Sequence, residues 1–489
     1  MEYAKNTTTR SMNCTELFLK QVSQKPNQMA LWIPGKESVT FRELHDASAR
    51  AQSLFLSYGA GPGSSVLVLD QLGVRLYAAI SALLALGATV ILVEPWMPIE
   101  RIERVIQLSK PKMFFSNTMG MLWGSRVKAI REIPHWIRAS RIGSSAPRRE
   151  MILEKVSETT PGILTFTSGT TGSPKGVVRT QGYLVKQHEV LSQHLEAEHF
   201  TGPDLCIFAN FALSNLASGR GTVVIPPSWS SRSLKALDEL PTSHQPVTLT
   251  SGPAFLRKLM QNSQTKSLKS IHIGGALTDC ALFERAFQYW PDAHWGHIYG
   301  GSEVEPVAVT DARLAVEESR KRGFFQTLYL GKNVAQIRPK LESDSLWVAG
   351  PHVCPEYLGN DQENQIYKRK DNDGVLWHSM GDRIQAEPSG WWYMGRSGQR
   401  IEEFQLEQKI YSHLQSSKSF IYSKSGTKGE VGKVERWLIG EGVKARKNEI
   451  IAAFPAIDGV CEARIYRDRR HRARIDRRKT LEKGASWLM

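Results

Sequence analysis

Between Thr167 and Gly176 the chain reads TSGTTGSPKG, in which every residue but Pro174 and Lys175 is Gly, Ser or Thr. Small hydroxylated residues between glycines let successive backbone N–H groups and hydroxyls converge on phosphate oxygens. Lys175 supplies a compact positive charge at the rim of such a cradle. Ile163, Leu164 and Phe166 predict a strand running into the loop, and Val177 and Val178 resume the apolar pattern after it. A strand feeding such a loop is a nucleotide-phosphate signature. It is not a Walker A loop, because counting from Gly169 puts Pro174 where the second glycine of G-x-x-x-x-G-K-[ST] belongs.

With 489 residues the chain exceeds what one core can hold, so two or more domains are expected. Apolar runs at 65–69 and 90–93 alternate with helical patterns such as 41–56, the succession that builds a mostly parallel sheet covered by helices. Further strands are expected near 205–208, 222–225, 247–250 and 270–273, with shorter, turn-rich ones from 328 to 392. Residues 76–93 carry no charge, enough for a membrane span by length. Gly87 divides them into an Ala/Leu-rich half and a β-branched half, which predicts a buried helix followed by a buried strand. The five cysteines are scattered without a CxxC pair, against a disulfide framework or zinc knuckle. The N-terminal residues lack an apolar signal core, and a cytoplasmic location is expected. Much of the net charge of +15 sits in a tail from Arg464 to Lys483. That run reads as a nucleic-acid, membrane or acidic-protein surface or as a solvated face, and with no aromatic-interleaved RNA motif or zinc finger beside it nucleic acid is the minor reading.

Four further segments follow the loop: IHIGGAL (271–277), HIYGGSEVEPV (297–307), WHSMGD (377–382) and GRSGQRI (395–401). Together the five resemble the adenylate-forming superfamily of acyl-CoA synthetases, peptide-synthetase adenylation domains and luciferases. The resemblance implies an α/β fold: a large N-terminal domain, 1–396, of βα-layered mostly parallel sheets plus a β-rich subdomain, then a small mobile α+β domain, 397–489, with the hinge near 396–399. It implies ATP and Mg2+ as cofactors. Thr167, Ser168, Gly169, Thr170, Thr171 and Gly172 would cradle phosphates. Gly274, Gly275 and Ala276 would run along the adenine, and Tyr299 would stack on it, with Gly300 and Ser302 in the same binding turn. Asp382 and Arg396 would reach the ribose. Lys175, Glu303 and Arg474 would carry catalysis, with Glu303 and Thr170 at the metal.

The chain departs from that pattern in places. Arg474 stands where the family has a lysine, with Lys479 and Lys483 nearby. Gln181 and Ala212 stand where many members have His, Gly398 where the hinge has Asp or Lys, and IEEFQLEQKI (401–410) lacks the Gly-rich loop that shapes a thiol tunnel. Within the superfamily, segments 93–102, 208–226, 303–309 and 377–383 are similar to β-lactone synthetases of bacterial olefin biosynthesis. The activity implied is ATP-dependent activation of a carboxylic acid, a fatty, β-hydroxy or related biosynthetic acid, followed by acyl transfer or lactone closure. The alternatives are an acyl-CoA or carrier-protein ligase, and a degenerate nucleotide- or acyl-binding partner. An acyl carrier protein or a pathway enzyme is the implied protein partner. Glu305, an extra carboxylate, reads either as a substrate contact or as half of a surface ion pair.

Overall fold

The uncharged stretch 76–93 divides where its composition changes. In the computed structural model, which describes residues 11–94, 97–144, 150–168, 174–195, 199–425, 434–467 and 475–488, the helix Val74–Ala85 buries every residue except Arg75. The strand Thr89–Leu92 follows it. Gly87 makes the turn between them at φ +65°, and a Cβ there would stand 2.6 Å from the Val156 side chain. Backbone and neighbour both demand glycine. No helix among the described residues is long and apolar enough to cross a membrane.

The pattern at 41–56 forms one helix, Phe41–Leu56, which buries Phe41, Leu44, Ser48, Gln52 and Phe55 along one stripe. Its start is fixed by a capping box: the Thr40 hydroxyl accepts from the Glu43 amide while the Glu43 carboxylate accepts from the Thr40 amide. Such a cap contributes about 1 kcal/mol.

Two large sheets carry the N-terminal part. In the first, Ser65–Leu69 lies between Thr89–Leu92 and Met113–Ser116, all parallel. Thr89–Leu92 pairs in parallel with Pro161–Ser168, which returns antiparallel as Pro174–Thr180. The second sheet has eight strands. Its parallel heart is Thr222–Val224, Asp204–Cys206, Thr248–Ser251, Ser270–Gly274 and His294–Gly301, closed by the antiparallel Val304–Asp311. The four strands expected from 205 to 273 are thus all present. Smaller antiparallel sheets between Tyr329 and Arg396 form the β-rich part.

Beyond Arg396 a helix, Ile401–Leu414, leads into Ser419–Ser425 and Val434–Gly440, an antiparallel pair joined in parallel by Gly459–Glu462. The sequence SKSGTKGEVG (423–432) reads as a hairpin loop; its first three residues belong to the strand Ser419–Ser425, and 426–432 lie outside the described residues. This smaller unit has cores of its own, one around Ile410, Ile421 and Leu438, the other around Phe420, Ile439 and Leu481. Phe404 instead packs back on Trp392 and Met394.

Candidate functional site

Asp382 opens the strand Asp382–Glu387 and Arg396 closes Gly390–Arg396, and the register sets their Cα atoms opposite each other. Their side chains pair at 2.8 Å. Tyr299, on the strand His294–Gly301, donates its hydroxyl to the other Asp382 oxygen at 2.7 Å. Three sequence segments thereby converge on one carboxylate. Asp382 raises the Arg396 guanidinium further above its ordinary value, so the cation stays charged. Burial first, then Asp382, pushes the Tyr299 phenol well up and keeps it a donor.

These three groups line a cavity of about 300 Å³ together with Gly275, Ala276 and Gly300. Gly274 ends its strand against Ile298, and a Cβ on it would lie 2.8 Å from the Ile298 carbonyl oxygen. Close approach of two backbones requires glycine at that position.

Glu303 follows two residues after Gly301. Its Oε1 accepts from the Tyr357 hydroxyl at 2.7 Å, and burial followed by this carboxylate raises the Tyr357 phenol. The carbonyl of Ser302 accepts from Arg179 at 2.8 Å.

Thr167 and Ser168 end the strand that enters the Gly-rich loop, paired with Lys175 and Pro174 on the returning strand. Gly169, Thr170, Thr171 and Gly172 lie outside the described residues, as does Arg474. Lys175 is not at an open rim. It is 6% exposed, its ammonium in contact with the Glu363 carboxylate and 3.8 Å from the Tyr367 ring centre. The inward turn follows from the neighbours: a carboxylate and an aromatic face already wait there.

The small domain brings Arg467 and Arg477 to the 300 Å³ cavity. Arg477 grips both oxygens of Glu407, at 2.8 and 2.9 Å. Sequence reading counted both arginines only as members of a basic run. Lys479 stands apart, over the Tyr466 ring at 5.1 Å.

A second cavity, of about 820 Å³, has apolar walls from Leu184, Phe208, Leu213, Ala217 and Trp229, with Arg179, His188, Asp70 and Glu94 among its polar lining residues. The His188 ring nitrogen Nδ1 meets the Ser214 hydroxyl at 2.9 Å, and burial lowers this imidazole. Gln181 and Ala212 have structural work instead. Gln181 accepts from the Cys14 amide at 2.9 Å and donates to the Leu84 carbonyl at 3.2 Å. Ala212 is fully buried in the cluster of Phe18 and Leu31, where a ring would overfill the space.

Comparison with known proteins finds chains similar in sequence and in fold. Surfactin synthase subunit 1 of Bacillus subtilis (strain 168) is 24% identical over 434 residues, covering 83% of this chain and 12% of that protein. The chain therefore spans only a fraction of that relative's length. The olefin beta-lactone synthetase of Stenotrophomonas maltophilia (strain K279a) is 24% identical over 450 residues, covering 80% of each chain. Among solved structures, the O-succinylbenzoate coenzyme A synthetase MenE of Bacillus subtilis, in complex with AMP, superposes with a TM-score of 0.79 at 17% identity. That match covers 97% of this chain and 100% of the other. The family model described as AMP-binding enzyme matches residues 18–358, and the chain belongs to that family.

Proposed function

We propose that this protein activates an apolar carboxylic acid as its acyl adenylate, using ATP. The observation that carries the reading is the juxtaposition of two cavities. One is polar, floored by Gly275 and Ala276 and ringed by Tyr299, Asp382 and Arg396. The other is large and mainly apolar, and its wall residue Arg179 donates to Ser302, two residues past Gly300 in the first. In this reading Tyr299 and the glycine floor hold the adenine. Asp382 and Arg396 hold the ribose. The loop 167–172 holds the phosphates, and the acid lies in the second cavity.

A carboxylate oxygen of the acid attacks the α-phosphorus. The new oxygen–phosphorus bond forms as the bridge to the β-phosphorus breaks, and pyrophosphate leaves with the electron pair. Both reactants are anions, so catalysis is positioning plus positive charge. Lys175 and Arg474 are the cations assigned to that work, and Lys175 must leave Glu363 to reach a phosphate. Among the described residues no group of three or more metal-ligating side chains occurs. Glu303 fits magnesium all the same, since that ion is commonly held by one or two carboxylates plus phosphate oxygens. Bound beside Glu303 with Thr170, it would offset phosphate charge. We set the hinge at Arg396–Gln399, between the strand that ends at Arg396 and the helix that begins at Ile401.

Lactone closure is the second reading, in which the β-hydroxyl oxygen attacks the acyl carbon and AMP departs. The likeness to a β-lactone synthetase over 80% of both chains supports it. So does the helix Ile401–Leu414, which occupies the stretch where CoA ligases carry a Gly-rich loop.

The test is pyrophosphate release from ATP and magnesium with a series of straight-chain acids and their β-hydroxy forms, products weighed by mass spectrometry. Release with the longer acids is expected, and β-hydroxy acids should yield a product lighter by one water. Nucleotide binding without release for any acid would overturn the reading and leave the degenerate-partner alternative.

A further inference from the structure

Strand alternation puts Lys175, Val177 and Arg179 on one face of the strand Pro174–Thr180, opposite Thr167, Thr165 and Ile163. Two cations therefore stand on one buried face. The fold neutralises Lys175 with Glu363. It does not do so for Arg179, which has no ion pair among the described residues although it is only 5% exposed. Its Nη1 donates to the Thr165 hydroxyl at 2.5 Å and its Nη2 to the Ser302 carbonyl at 2.8 Å. Its Nε is closed off from solvent and has no hydrogen-bond partner among the described residues. A guanidinium remains protonated under all ordinary conditions, and a buried charge is retained when something of opposite sign meets it. Arg179 lines the 820 Å³ cavity, whose surface is mainly apolar, Leu above all, with Lys36, Asp70 and Glu94 the other charged residues in its wall.

We infer that Arg179 receives the carboxylate of an apolar acid lying in this cavity, so that the protein selects acids over neutral molecules of the same chain length. The inference deepens the proposed activation of an apolar acid and rests on it for where the carboxylate goes next. The bond to Ser302 ties the carboxylate's receptor to the residue just before Glu303. An acid anchored there is held beside the segment assigned to the α-phosphate. Thr165 orients the guanidinium from the neighbouring strand.

The experiment compares decanoic acid with 1-decanol by titration calorimetry on the full chain without nucleotide, and measures KM for decanoate and for ATP. Wild type should bind the acid ~10-fold or more tighter than the alcohol, the usual gain from a charge-assisted hydrogen bond in a buried site. Arg179→Gln should abolish that preference while leaving the alcohol's affinity and the KM for ATP within about twofold, since a neutral ligand gains nothing from the charge. Arg179→Lys, which keeps the charge, should retain part of the preference. If Arg179 only staples Ser302, Arg179→Gln will raise the KM for ATP and keep the preference, which overturns the inference. Should the variants fold poorly, equal binding of acid and alcohol by wild type overturns it equally. An Arg179-dependent preference without pyrophosphate release would sustain the inference and sink the adenylation reading. Release with an unchanged decanoate KM in Arg179→Gln would do the reverse.

Discussion

Lys175 and Glu363 form an ion pair closed off from water, with side chains 8% and 5% exposed, and the Tyr367 ring covers the ammonium. The pair joins the strand Pro174–Thr180 to the helix Asp361–Tyr367. Removing one partner strands a buried charge, so Glu363→Ala should cost about 3–5 kcal/mol of stability. The double change Lys175→Met with Glu363→Met removes both charges and should recover most of that loss. Urea unfolding of wild type, both single variants and the double variant completes the cycle. Equal stability of Glu363→Ala and wild type would show the pair to be energetically idle.

Filling the larger cavity should change which acids are used. Ala217 lies in its wall, and Ala217→Trp shortens the space available to an alkyl chain. Each methylene denied burial costs about 0.8 kcal/mol. The longest acids should lose kcal/mol-scale transition-state binding in kcat/KM, and short ones should be unaffected. A uniform fall for all chain lengths would contradict this placement of the acid.

Buried imidazoles make the fold sensitive to acid, three of them most strongly. Burial holds His272 down to about 3 and His297 to about 4, and burial with the Lys368 charge keeps His378 well below its ordinary 6.5. The unfolded chain takes up these protons near 6.5 while the folded one refuses them. Their contribution is therefore complete above pH 6.5 and is lost as pH falls toward the folded values. Each adds a slope of up to ~1.4 kcal/mol per pH unit in that window. Urea unfolding from pH 7.5 to 5 should show stability dropping with acid, and His272→Gln should remove about a third of the slope contributed by the three.

Tyr299→Phe removes the 2.7 Å hydrogen bond to Asp382 and leaves the aromatic ring. A hydrogen bond to a charged group contributes about 1.5–3 kcal/mol. ATP affinity should weaken by roughly that amount if the phenol positions the ribose-binding carboxylate, and acid affinity should stay unchanged. Fluorescent-nucleotide titration reads the first and calorimetry with decanoate the second.

The elements were legible wherever side-chain period and packing agree. The stripe Phe41, Leu44, Ser48, Phe55 and the cap at Thr40 mark one helix in the sequence and in space. Gly87 marks a break because nothing larger tolerates its backbone and its neighbour. Tyr299, Asp382 and Arg396 could be grouped in advance only through the order of their motifs, since strand register alone brings them together. Arg179 was not legible. A single arginine in VVRT reads as a solvent-facing strand residue, and its burial depends on Ser302 and Thr165 arriving from elsewhere. Glu363 was hidden for the same reason: its partner Lys175 is distant in the chain.

The Arg179–Ser302 hydrogen bond ties a wall residue of one chamber to the turn just after Gly300 of the other, and the two chambers share no lining residue. Leu213, Ala217 and Trp229 can be exchanged to reshape one chamber without disturbing the glycine floor of the other. Under the proposed assignment of the two chambers, acid preference can drift over evolutionary time while nucleotide recognition stays fixed, a modular division that a single shared pocket would forbid.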